Sequence, residues 1–301
     1  MAKILFCIII SLIWAVDVRS DPRASEAIFA YAADLENKND HPRAATEFGR
    51  YVFLARQGSR EDFVRLEEAM YRHAVNLAHA KETDAALRAF SELGAAYPKS
   101  PLIPQALFQM GQVYERSGAV GEAKQRYQRL AGMGMDTEFS ALSRLRLAWL
   151  ALRRPGEETK AREHLQAVTH PKYADQAKGM LKGVEALPNL PYKTPWLAGT
   201  MSAVLPGAGH LYAERPRDAG FAFLSNGLLL AGTVQAFSKG ITGLGAALSA
   251  VELGWYSGTI FSAVNLTHKY NQRLREDHLG NVAGSLPRGD NAVGVEMEWR
   301  Y

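Results

Sequence analysis

Apolar and polar residues follow two different rhythms along this chain. From Ser25 to about Ala186 apolar positions recur every three or four residues, with glycine and proline mainly at breaks. That spacing predicts helices that each bury one face. From Pro195 to Leu266 the polar positions thin out into three apolar runs, Trp196–Tyr212, Ala219–Phe237 and Ile241–Leu266, separated by short charged breaks. A helix rises about 1.5 Å per residue, so about 17–25 apolar residues cross a bilayer core. The second and third runs meet that length. The first is at the short limit and contains Pro206, Gly207 and Gly209. The pattern therefore predicts an all-α chain: a helical array over 25–186, then a transmembrane module of two to three helices over 196–266. Between them, residues 187–195 carry Pro188, Pro191 and Pro195 and read as a short stiff linker. Residues 267–301 read as a basic and Gly-rich tail.

The helical array is internally repetitive. An alanine followed four residues later by a large side chain recurs as Ala44–Phe48, Ala86–Phe90, Ala123–Tyr127 and Ala161–Leu165, the alanines 42, 37 and 38 residues apart. Twelve residues before each alanine stand Ala32, Ala74, Gly111 and Trp149. Three residues after those stand Leu35, Leu77, Tyr114 and Leu152. Each unit reads as two antiparallel helices. Small residues let the backbones approach and large ones fill the gap, so stacked pairs form an α-solenoid core that one pair cannot form alone. A further helix, Tyr173 to Ala186, is expected to close the stack.

These residues resemble the tetratricopeptide repeat over roughly 25–170. The third unit, Ala106–Leu130, matches best, and Tyr97-Pro98 places a proline where that family ends a repeat. The first and fourth units lack this proline in register, and Trp149 stands where a small residue is usual. The resemblance implies a concave groove that binds proteins or peptides. By position on the first helix of each unit, the groove would be lined by Phe29, Tyr71, Phe108, Gln112, Glu115 and Arg116. Periodicity leaves open whether Tyr71 and Phe108 instead pack between helices.

Lys3, the apolar stretch Ile4–Val16, and Val18 and Ser20 before a cut at Asp21 read as a secretory signal peptide over 1–20. An uncleaved anchor is the alternative and gives the same topology. Arg215 and Arg217 separate the first two runs, Lys239 alone separates the second and third, and Lys269, Arg273 and Arg275 follow the third. Basic residues favour the cytoplasmic side. A fully spanning first run then puts the repeats outside and the basic tail inside, in agreement with export. A re-entrant first run puts both on one side and removes that agreement. The expected location is a bacterial inner membrane with the repeats in the periplasm.

Within the first run, Pro206, Gly207, Gly209 and Tyr212 form a Pro-Gly-x-Gly-x-x-Tyr motif. It resembles one found in small bacterial membrane modules of two or three helices. Broken backbone at membrane depth needs protein or water to satisfy it. Polar side chains in the runs include His210, Asn226 and Glu252. They read either as a shared proton or ligand site of Glu252 and His210, or as interhelical hydrogen bonds. The third run carries a small-residue ribbon, Ala246, Ala250, Gly254, Gly258 and Ser262. It is expected to pack on the second run near Gly227 and Ala231, with homo-oligomerisation as the alternative.

Composition changes this picture little. The formal net charge is +4 and no run concentrates Lys and Arg, so no nucleic-acid partner is expected. Cys7 is the sole cysteine, which excludes an internal disulfide. Scattered histidines, and no phosphate-binding loop or nucleophile elbow, point away from an enzyme; no cofactor or metal is expected. The alternation Val293, Val295, Met297, Trp299, Tyr301 suggests an edge strand or flexible tail. The favoured reading is a membrane-tethered envelope scaffold that binds an envelope protein or peptide. The alternative is a membrane-embedded transporter subunit or enzyme with a polar site at Glu252 and His210.

Overall fold

The structure, a computed structural model, describes residues 22–58, 63–133 and 137–284. The signal-peptide expectation at 1–20 and the strand expectation at 293–301 lie outside the described residues. The chain divides into two compact units, and the division falls between Lys178 and Gly179.

The first unit is built from helix pairs: α1 (Pro22–Asn37) with α2 (His41–Gln57), α3 (Leu66–His79) with α4 (Thr83–Ala96), α5 (Ile103–Arg116) with α6 (Val120–Ala131), and α7 (Glu138–Leu152) with α8 (Glu158–Gln166). Each helix packs on its neighbour in sequence. The repeated positions form the core: Ala44, Ala86, Ala123 and Ala161, and the large partners Phe48, Phe90, Tyr127 and Leu165, are all buried. The turn inside each pair repeats as well. Asn39, Lys81, Gly118 and Gly156 all have positive φ, each five residues before its alanine. In the first three pairs this left-handed residue closes the first helix. The next residue's N–H reaches back to the carbonyls of Leu35, Leu77 and Tyr114, each at 2.9 Å. The residues three after each small position are thus helix-closing acceptors as well as packing residues. The start of α9 (Pro171–Ala186) is tied to α7, where Lys172 pairs with Glu138 at 2.6 Å.

The second unit begins inside α9, ahead of the linker expected at 187–195. Gly183 is the reason: a Cβ there would stand 2.3 Å from Val282 Cγ2, and His278 Nε2 lies 2.8 Å from the Gly183 carbonyl. The last turns of α9 therefore pack with the end of the chain's longest helix. After a 3₁₀ turn (Leu187–Asn189) come α10 (Pro195–Val204), α11 (Ala208–Tyr212), α12 (Pro216–Ser238) and α13 (Thr242–Ala283). α13 is 42 residues long, so residues 267–283, expected as tail, continue the helix.

The first apolar run is not one helix. It breaks at Leu205–Gly207, where Gly207 takes φ +92°. α11 then packs back against α10. A Cβ on Gly209 would stand 2.0 Å from the Ala198 carbonyl oxygen, so only glycine permits this approach. Among the described helices, only α12 is long and apolar enough by composition to cross a membrane, with a mean hydropathy of 1.3. The third run falls short because its Gly, Ser, Thr and Glu252 dilute the apolar residues.

Candidate functional site

In the repeat unit, the residues expected to line a groove are mostly interior. Phe29, Phe108 and Gln112 are at most 2% exposed and Tyr71 is 9% exposed. Phe29 meets the rings of Phe48 and Tyr51, and Phe108 meets those of Tyr127 and Phe139. Side chains this buried fill the space between helices and leave no surface for a partner. Glu115 is also committed inward: it accepts a hydrogen bond from Tyr127 Oη at 3.0 Å, and its other oxygen lies 3.9 Å from Arg146. Arg116 is exposed and donates to the Ala78 carbonyl.

The open depression lies elsewhere. A cavity of about 710 Å³ sits where the end of α2, the start of α3 and the end of α4 meet. Ala55, Leu66 and Met70 give it an apolar floor, and Tyr97 stands beside them. Arg56 and Glu92 also line it and pair with each other at 2.7 Å, both half-exposed. No local pattern announces this site, because its residues come from three helix ends between Ala55 and Tyr97. Toward the other end of α3 a part-buried polar seam ties it to α1 and α2: Asn76 donates to Glu36 at 2.9 Å and lies 2.8 Å from His41 Nδ1, while Arg72 pairs with Glu36 at 2.8 Å. Stacked on His41 at 4.3 Å, the His79 imidazole is held down to about 4, chiefly by burial.

In the second unit, the distribution of polarity is inside out. Phe221, Leu228, Leu253 and Phe261 are 66–72% exposed, whereas His210, Asn226 and Thr259 are at most 8% exposed. Water does not favour exposed apolar side chains in such number, and surfaces of this kind are common at membrane or protein interfaces. The interior polar groups are partly paired: Asn226 Nδ2 donates to Thr259 Oγ1 at 3.1 Å, and His210 Nε2 lies 3.3 Å from Ser262 Oγ. The joint site of Glu252 and His210 is not assembled. His210 meets Ser262, which is ten residues, or roughly 15 Å, along α13 from Glu252. Glu252 is buried and its Oε2 has no hydrogen-bond partner.

The small-residue ribbon does not pack on α12. Ala246, Ala250, Gly254, Gly258 and Ser262 are all exposed, and a Cβ on Gly227, Gly254 or Gly258 would meet open space. The face of α13 that packs instead carries Gly245, Glu252, Thr259, Ala263 and Thr267, all buried. At 100° per residue these lie opposite the ribbon.

The motif Pro206, Gly207, Gly209 and Tyr212 builds the folded-back hairpin. Gly209 N–H donates to Ser202 Oγ at 3.1 Å, and Tyr256 Oη donates to the Ala203 carbonyl at 3.1 Å. These two bonds satisfy backbone groups that the break sets free. Tyr212 Oη accepts from the Thr194 N–H at 3.0 Å. The end of the hairpin is thereby fastened to its beginning.

No curated protein and no solved structure matches this chain. The profile of the tetratricopeptide repeat-like domain matches residues 64–183, which takes in the second, third and fourth helix pairs and most of α9. The first pair shares their buried alanine and left-handed turn although it lies before the matched stretch. Residues 64–183 are thus similar to a tetratricopeptide repeat-like domain, a likeness that suggests protein–protein interaction.

Proposed function

We propose that the chain is a membrane-tethered scaffold of the bacterial envelope, in which the repeat domain binds a protein or peptide partner and the C-terminal module holds it at the inner membrane. The observation that carries the tether is the set of large apolar side chains exposed along α12 and α13 around buried polar groups. The partner site is the depression on α2, α3 and α4, where an apolar floor beside an Arg56–Glu92 pair suits an extended segment with an apolar anchor and a flanking charge. A photo-cross-linker at Ala96 in intact cells is expected to capture one discrete partner, and Met70→Glu is expected to abolish the capture. Capture that survives Met70→Glu would remove the depression from the proposal.

In this reading the export signal expected over 1–20 directs the repeat domain to the periplasm. The folded-back hairpin carries Lys269 and Arg273 to the same side as the linker, so loop charge now argues for the opposite orientation. The export signal outweighs the loop charge because long domains translocate largely regardless of charge. Glu252 and His210, being unconnected, give the transporter reading no assembled site.

A further inference from the structure

We infer that the module is inserted into the bilayer from one face only, so that the chain goes in and comes out on the same side. This inference rests on the membrane reading above. α10 has ten residues and α11 five. At about 1.5 Å per residue, α10 reaches roughly 15 Å, half of the ~30 Å hydrocarbon core. The break at Leu205–Gly207 is therefore an apex inside the core, and Val204 and Leu205 there are exposed. The Thr194–Tyr212 hydrogen bond of 3.0 Å sets the two mouths of this hairpin side by side.

The remaining contacts place the other ends at the same level. α12 leaves directly from the hairpin and, with 23 residues, spans about 34 Å to the turn at Lys239–Ile241. α13 returns. Its Asn271 lies 29 residues after Thr242, about 44 Å along the helix and beyond the core. Asn271 exchanges two hydrogen bonds with the Lys193 backbone, at 2.8 and 2.7 Å. The Lys193 ammonium sits 4.1 Å above the Tyr270 ring and pairs with Glu214 at 2.6 Å. Linker, hairpin mouth and returning helix thus share one clasp. Farther out, His278 lies 2.8 Å from the Gly183 carbonyl, so α9 and the end of α13 stay together outside the core. Arg217, Lys269 and Arg273 are exposed around this face, and Lys239 alone marks the other.

The test uses single cysteines in the full-length Cys7→Ser protein, at the exposed positions Glu185, Ser238 and Asp277, with a membrane-impermeant maleimide applied to right-side-out and inverted vesicles. Glu185→Cys and Asp277→Cys are expected to label in the same vesicle orientation, and Ser238→Cys in the opposite one. Labelling of positions 185 and 277 in opposite orientations would overturn the one-face insertion while leaving the membrane tether intact. Equal labelling of all three in both orientations would overturn the tether and the insertion together. If 185 and 277 label together only in inverted vesicles, one-face insertion stands and the periplasmic placement falls.

Discussion

The ring of Tyr127 lies so close to the backbone of Gly111 that a Cβ at that glycine would stand 2.4 Å from Tyr127 Cε1. Tyr127 is fully buried and its hydroxyl is held by Glu115, so the ring has nowhere to retreat. Gly111→Ala is expected to destabilise the protein by about 1–3 kcal/mol, the usual cost of overpacking a core. Thermal unfolding of the full-length protein in detergent measures it. Adding Tyr127→Leu is expected to recover part of the loss. The fourth pair uses that arrangement, with a large Trp149 on the first helix and a smaller Leu165 on the second. Unchanged stability in Gly111→Ala would contradict the packing described here.

The turn at Lys81 carries a side chain where its counterparts Gly118 and Gly156 carry none, yet Lys81 adopts φ 64°. A non-glycine residue in this region costs about 1–2 kcal/mol relative to glycine. Lys81→Gly is therefore expected to raise stability by up to about 1 kcal/mol, after the entropy that glycine adds to the unfolded chain. Gly118→Ala is expected to lower it by about 1 kcal/mol. Equal and opposite shifts in chemical denaturation midpoint would be the signature; a fall for Lys81→Gly would refute it.

His79 introduces a pH dependence. Its folded pKa is about 4, from burial first and then from His41 and Arg116 nearby. In the unfolded chain it titrates near 6.5. Between these values the unfolded chain binds a proton that the folded chain refuses. Stability is then fully present above about pH 6.5, declines as pH falls toward about 4, and levels off below. His73 and His164 are lowered by burial too and act with the same sign. His79 is only about half buried, so its share is on the order of 1 kcal/mol. A melting-temperature profile from pH 7 to pH 4 should slope downward, and His79→Asn should flatten it. A slope unaffected by His79→Asn would assign the effect to other groups.

Two glycines of the second unit separate structure from surface. Gly209→Ala would drive a Cβ to 2.0 Å from the Ala198 carbonyl, whereas Gly254→Ala adds a methyl to open space. The first is expected to cost more than about 2 kcal/mol, because backbone cannot yield as a side-chain tip can. The second should lie within about 1 kcal/mol of neutral. Resistance to unfolding in detergent would rank them. If Gly254→Ala instead changes the mass of the detergent-solubilised particle, the exposed ribbon is a contact between copies.

Much of the repeat domain was legible because its period is a packing period. The buried positions Ala44–Phe48, Ala86–Phe90 and Ala123–Tyr127 emerge from spacing alone. What spacing could not separate was inward from outward on the first helices. Tyr71 and Phe108 fit a groove and a core equally well, and burial decided for the core. The depression by Met70 and Arg56 was invisible because it depends on where three helix ends meet. In the second unit the Pro206–Gly207 break was legible as a break. Its direction was not, since the reversal rests on Tyr212 reaching Thr194 and on Gly209 admitting the Ala198 carbonyl. The ribbon of α13 shows a further limit: helical spacing identifies a face but not what covers it.

The central claim is that the second unit lives in lipid. Full-length protein mixed with phospholipid vesicles and spun through a density gradient after an alkaline carbonate wash tests it directly. The account predicts that the protein floats with the vesicles and is released only by detergent. Recovery of the protein at the bottom of the gradient, dissolved and free of lipid, would contradict it.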